Sequence, residues 1–221
     1  HHRSPGGLAG AEALGLDTKG RRGHVGMKEI PAMNAHAIAI ATQAATVAHW
    51  GQTRKDGTTP YIVHPERVAA CVGRCGGDHV GMIAAWLHDV IEDCADGDLV
   101  VRKTLQKTDL PDEDRVAVYA IVAAMTKNPA IPDKGERLMD SIRRINRAPP
   151  QAILVKLCDR TDNLADARSL GKEFLQTYLH LTDRLVEELS DGAIRNGYTD
   201  ALEQLKRARD DAKAWCEEKG S

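Results

Sequence analysis

The sequence predicts an all-α protein with one domain. Three observations carry that expectation. Alanine and leucine are abundant, while aromatic residues make up only 4% of the 221 positions, a composition suited to a helical core of small side chains. Apolar residues recur at three- and four-residue steps rather than in alternation. Glycine- and proline-containing breaks fall between these periodic stretches, with no repeat or low-complexity tract to suggest another architecture.

Each element has its own justification. His1-His2-Arg3-Ser4-Pro5-Gly6 and the glycine-rich sequence after it look like a tag and a vector linker, so residues 1–26 are set apart, with Met27 the expected native start and 27–221 the domain. The stretch Ala35–Trp50 is alanine-rich and free of breakers, and reads as a helix. Residues 51–61 read as a loop, because Arg54-Lys55-Asp56-Gly57-Thr58-Thr59-Pro60 is rich in turn formers. His64-Pro65 opens a second helix that stops near Arg74, before Gly76-Gly77. Pro65 suits a first helical turn, where its missing N–H costs nothing. A third helix is expected from His79 to Asp93, with Met82, Ile83, Trp86, Leu87, Val90 and Ile91 on its buried face. Helices follow near 98–107, 112–127 and 134–147; Pro111 precedes the middle one and Asn128-Pro129 ends it. A long helix is expected from Pro149 to Leu170, striped by Ile153, Leu154, Leu157 and Leu164, and helices at 172–189 and 199–218 close the chain.

Composition excludes several functions. The formal net charge is −2, so no global basic field draws in nucleic acid. No apolar run approaches the roughly 20 residues needed to cross a bilayer. The five cysteines, Cys71, Cys75, Cys94, Cys158 and Cys216, are an odd and scattered set, which argues against a disulfide framework and for reduced thiols in the cytoplasm. Cys71 and Cys75 share a helix face, but no second Cys or His pair at zinc-ligand spacing accompanies them.

The chemistry sits in polar residues placed on apolar helices. Trp86-Leu87-His88-Asp89-Val90-Ile91-Glu92-Asp93 puts four ionisable groups in one apolar stretch. Adjacent helical residues point about 100° apart, so His88 and Asp89 can both reach one point at the edge of the buried face. Burying this much charge costs several kcal/mol without a partner, and a divalent cation is the simplest one. Asp159 and Asn163 lie one turn apart on the Pro149–Leu170 helix and share a face with Lys156. His64, at a helix start directly after a loop, can aim inward. The ordered set His64, His88-Asp89, Asp159 is a mixed nitrogen and oxygen donor set, suited to Mn²⁺, Fe²⁺ or Zn²⁺.

That order resembles the HD-domain phosphohydrolases, in which separated helices supply H, HD and D to a metal, and implies their helical bundle. Arg54-Lys55-Asp56-Gly57 with Pro60-Tyr61-Ile62-x-His64-Pro65, then Leu87-His88-Asp89-Val90-Ile91-Glu92-Asp93, then Val155-Lys156-Leu157-x-Asp159-Arg160-x-x-Asn163-Leu164 resembles more closely the hydrolase half of the RelA/SpoT alarmone enzymes. Thr126-Lys127 matches a segment between the second and third motifs. With no room for synthetase and regulatory regions, the chain is similar to the stand-alone small alarmone hydrolases. The resemblance covers about residues 35–168. It implies Mn²⁺-dependent removal of the 3′-pyrophosphate from a small-molecule nucleotide, guanosine tetra- or pentaphosphate. It implies His64, His88, Asp89 and Asp159 as metal ligands, and Glu92 and Asp93 as the acids that position or deprotonate water. It also implies Arg54 and Lys55 in the base pocket with Tyr61 beside them, and Asn163 near the sugar and phosphates. Lys127, Lys134, Arg137, Arg143, Arg144 and Arg147 are candidates for the distal phosphates. Two departures stand out: Cys158, where the family commonly has alanine, and Asp162, where it often has histidine. An adenosine alarmone is the nearest alternative substrate; a deoxynucleotide phosphatase and a non-catalytic nucleotide sensor are the rival functions.

Overall fold

The computed structural model describes residues 32–218; the expected tag, linker and start at Met27 lie outside the described residues. The elements are α1 (Ala32–Ala48), α2 (Val63–Arg74), α3 (His79–Leu87), α4 (Val90–Asp93), α5 (Gly97–Gln106), α6 (Asp112–Met125), α7 (Lys134–Ile145), α8 (Gln151–Ala167), a 3-10 turn (Arg168–Leu170), α9 (Lys172–Arg195) and α10 (Thr199–Glu218). Among the described residues the only β pairing is an isolated bridge between Thr53 and Pro60. No described helix is long and apolar enough to cross a membrane.

Two helices form the centre of the bundle. In α3, Val80, Ile83, Ala84, Ala85 and Leu87 are all buried; apolar all round, it packs against α1, α2, α6 and α8. Asp78 caps its start, accepting a hydrogen bond from the Gly81 N–H at 2.9 Å. In α8, every residue from Ala152 to Arg160 is buried, and the helix lies against α2, α3, α6, α9 and α10. Buried leucines such as Leu154, Leu157 and Leu164 stabilise the fold by about 1.5–3 kcal/mol each. That offsets the cost of taking Lys156, Asp159 and Arg160 inside with them.

The loop from α1 to α2 is built to hold its shape. Asp56 accepts hydrogen bonds from the Thr58 and Thr59 N–H groups at 2.9 and 2.8 Å and from the Thr59 hydroxyl. Gly57 takes φ +73°, a left-handed conformation that favours glycine. The Arg54 N–H closes the turn on the Thr59 carbonyl at 2.7 Å.

Two expected boundaries need correction. The helix expected from His79 to Asp93 is two: α3 stops at Leu87, and α4 starts at Val90 with Asp89 at φ −99°, ψ −5° as its cap. The His88 ring hydrogen-bonds the Ala85 carbonyl, and the chain after α4 turns sharply through Asp96, at φ 53°. The helix expected at 172–189 runs on to Arg195. Gly192 lies against α8 so closely that a Cβ there would come within 2.6 Å of Ile153 Cδ1; here glycine permits helix contact rather than ending the helix.

Candidate active site

Three stretches of chain converge at the floor of a cleft. His64 comes from the first turn of α2, His88 and Asp89 from the break between α3 and α4, and Asp159 from the middle of α8. Both histidines are 1% exposed. His88 Nδ1 donates to the Ala85 carbonyl at 2.7 Å, and His64 Nδ1 donates to Asp162 Oδ2 at 2.7 Å. Both rings therefore turn Nε2 inward, where it can take a proton or an ion, and these two atoms lie 3.2 Å apart. Two acceptors at that distance repel each other unless something positive lies between them.

The carboxylates complete the set. Asp89 Oδ2 is 3.4 Å from His64 Nε2 and 3.1 Å from His88 Nε2. Asp159 Oδ1 is 3.3 and 3.8 Å from the same atoms. Donors held about 2.0–2.2 Å from one ion stand about 3–3.5 Å apart, so the spacing and the mixed nitrogen and oxygen chemistry fit a divalent cation. The local field agrees. Burial opposes a positive charge on His64, yet its hydrogen bonds to Asp159, Asp162 and Asp89 push its pKa up to about 11. Burial likewise opposes charge on His88, but Asp89 and Asp159 raise it to about 9. Burial alone would raise the Asp159 carboxyl; the Lys156 charge and the two histidines hold it well below the usual range.

Around the floor lies a ring of supporting contacts. Lys156 Nζ donates to Asp159 Oδ2 at 3.0 Å. Asn163 donates to Asp159 Oδ1 at 2.5 Å and accepts from Arg54 at 3.0 Å. Arg54 is further held by Asp166 at 2.7 Å, with Asp162 at 3.6 Å. The Tyr61 hydroxyl lies 2.7 Å from Asp89 Oδ2 and 2.9 Å from Asp93 Oδ2. A phenol has one proton, so it donates to one of these carboxylates at a time. Burial and the nearby Asp89 charge raise the Asp93 carboxyl. Glu92 accepts from Lys127 twice, through Nζ at 2.6 Å and the backbone N–H at 3.0 Å.

The cleft measures about 530 Å³. The structure brings all the expected site residues to it or directly behind it: Asp89 and Asp159 line it with Arg54, Lys55, Tyr61, Glu92, Asp93 and Asn163, and the two buried histidines lie behind that lining, against Asp89 and Asp159. Of the candidate phosphate-binding cations, Lys127, Lys134 and Arg137 line it, Arg137 also donating to the Ile131 and Pro132 carbonyls; Arg144 is not in the lining and donates to the Ala123 and Ala124 carbonyls and Asp140. Arg143 and Arg147 are exposed outside it. Burial lowers the pKa of Lys55, and the crowding of Arg54, Lys127, Lys134 and Arg160 lowers it further, so a bound anion is favoured there.

Sequence reasoning missed four contributors. Phe174 and Tyr178 of α9 form an aromatic wall: Lys55 Nζ sits 4.7 Å from the Phe174 ring and the Arg160 guanidinium 4.2 Å from the Tyr178 ring. Arg160 is 5% exposed, and its Nε has no hydrogen-bond partner. His49 stacks on Tyr61 with ring centres 4.7 Å apart. Phe174, the only phenylalanine, was the one available signal for the aromatic wall.

Donors in the order H, HD, D, drawn from separated helices around one point, form a candidate metal centre of the HD type. The chain belongs to the HD-domain family, whose model matches residues 37–186. It is 32% identical over 189 residues to the guanosine-3′,5′-bis(diphosphate) 3′-pyrophosphohydrolase of Aquifex aeolicus, a match covering 78% of this chain and 26% of that protein. It is 34% identical over 188 residues to the bifunctional (p)ppGpp synthase/hydrolase SpoT of Escherichia coli K12, covering 75% of this chain and 25% of that protein. The chain thus spans about a quarter of the length of these relatives. Among solved structures it is similar to one described as a metazoan ortholog of SpoT that hydrolyzes ppGpp, with a TM-score of 0.63 and 26% identity, covering 78% of this chain and 95% of that one.

Proposed function

We propose that this chain is a Mn²⁺-dependent 3′-pyrophosphohydrolase of nucleotide alarmones, cleaving (p)ppGpp to GDP or GTP and pyrophosphate, and that it works in the cytoplasm. The observation that carries the reading is one cleft with His64, His88 and Asp89 clustered at its base and Asp159 beside both histidines, two acids at its edge and cationic and aromatic walls. Its relatives' names point the same way.

His64, His88, Asp89 and Asp159 would hold the ion. When bound, it supplies Lewis-acid chemistry, screening the pyrophosphate and making water a better nucleophile at neutral pH. The rest falls to side chains. Lys127, Lys134 and Arg137 meet phosphate charge, and the unpartnered Arg160 Nε offers a further donor. Lys55, with the planar Arg54 fixed by its carboxylates, and Tyr61 grip the base, while Asn163 ties that wall to Asp159. Asp93 takes the proton from the attacking water: it stands at the open cleft beside Asp89, and its raised pKa suits a proton acceptor. Glu92, with both oxygens engaged by Lys127, holds that lysine toward the phosphates. The walls grip a purine by stacking and charge, so (p)ppApp is a second substrate reading with the same reaction.

A split of kinetic constants tests the two acids. Asp93→Asn should lower kcat about 10²–10⁴-fold with little change in KM. Glu92→Gln should raise KM as Lys127 loses its partner. An Asp93→Asn variant with undiminished kcat would show that the proton goes elsewhere.

A further inference from the structure

A second group of metal-ligating side chains lies behind the HD floor and plays no part in the proposed reaction. Cys71 and Cys75 stand one turn apart on α2, and Cys158 faces them from α8. Their sulfur atoms all lie within 4.8 Å of one another. The three are buried, at 7%, 6% and 1% exposure, because α2 and α8 pack directly together. No second Cys or His pair accompanies Cys71 and Cys75 in the sequence; the third thiol comes singly, from a distant part of the chain.

A fourth group converges on the same sulfurs. Gln204 of α10 places its amide Nε2 3.3 Å from Cys75 Sγ and its Oε1 3.8 Å from Cys71 Sγ. Amide oxygen and nitrogen exchange places by a simple flip, so the oxygen can face the sulfurs. Thiolates bound about 2.3 Å from one ion stand about 3.8 Å apart, within the observed spacing. Sulfur donors also select differently from the nitrogen and oxygen donors of the HD floor.

We propose that Cys71, Cys75 and Cys158 form a buried trithiolate site for a thiophilic cation, Zn²⁺ or monovalent copper, with the Gln204 amide beside its remaining position. Each thiol that coordinates gives its proton to solvent, so binding is proton-coupled and needs no oxidant. Cys158 directly precedes Asp159. An ion on the three sulfurs therefore fixes the segment of α8 that presents a donor to the cleft.

Co²⁺ is the probe. The full chain is reduced, stripped with a chelator and titrated with Co²⁺ alone. Thiolate-bound cobalt gives an intense sulfur-to-metal charge-transfer absorption in the near ultraviolet, which imidazole and carboxylate ligands do not give. The band should appear in the parent protein and in His88→Ala, and be lost in the Cys71→Ser/Cys75→Ser double variant. Circular dichroism checks that the variants fold. Zn²⁺ or Cu⁺ added afterwards should bleach the band, and whichever does so at the lower concentration is the preferred ion. Absence of the band in the reduced parent protein overturns the proposal without any variant, as does a band that survives in the folded double variant.

Discussion

His64 illustrates how much a single neighbouring residue can decide. Its Nδ1 is committed to Asp162 Oδ2 at 2.7 Å, which fixes the tautomer and leaves Nε2 for the ion. A carboxylate behind a metal-binding imidazole typically matters 10–100-fold in metal affinity. Asp162→Ala should weaken Mn²⁺ binding by about that factor, measured by isothermal titration, while the fold is kept. Unchanged affinity would mean that packing alone aims His64. From the sequence, Asp162 is a negative charge three residues from Asp159 that can shift metal affinity or phosphate contacts; its contact with His64 is not legible there, because that partner lies 98 positions away. The candidate ligands were legible as a group, since ionisable residues inside apolar helices demand a partner. Phe174 and Tyr178 were not: a ring on an amphipathic helix reads as core until the packing of α9 against α7 and α8 turns it to the cleft.

At the level of elements, the break between α3 and α4 has the most influence on the site. Asp93 keeps a helical hydrogen bond to the Asp89 carbonyl at 2.9 Å, one turn above it, and stands beside Tyr61, while Glu92 turns to Lys127. Periodicity could not reveal the break, because the apolar spacing from Met82 to Ile91 runs through it undisturbed. Gly97 holds the far side of the turn. A Cβ there would come within 2.1 Å of the Val90 carbonyl oxygen, a backbone atom that cannot swing aside. Gly97→Ala should therefore destabilise the protein by about 1–3 kcal/mol, read as a lower urea midpoint. It should also reduce kcat, because α4 moves with Val90. A variant with the parent's midpoint would show that the turn relaxes freely.

For the molecule as a whole, the sequence was enough for an all-helical bundle and for most helix spans, because helical periodicity and Gly/Pro breaks are local signals. Contacts between distant helices are not local, which is why the Cys71–Cys75–Cys158 cluster and the end of α9 escaped it. The bundle places two histidines and two aspartates where apolar packing would otherwise be favoured, so the bound ion should add to stability. At a hundredfold excess over its dissociation constant an ion contributes about 2.7 kcal/mol, or roughly 5–10 °C in Tm for a chain of this size. Mn²⁺ added to the chelator-treated protein should raise Tm by that amount, and His88→Ala should abolish the gain. An equal gain in His88→Ala would place the ion elsewhere.

The central claim is the reaction itself, and product analysis tests it most directly. The purified chain is incubated with Mn²⁺ and, in separate samples, ppGpp, ppApp and dGTP, and the products are resolved by anion exchange. The proposed function predicts GDP, or ADP, together with pyrophosphate, and no products when EDTA is present. Release of single phosphates, turnover of dGTP alone, or no turnover of either alarmone would contradict it.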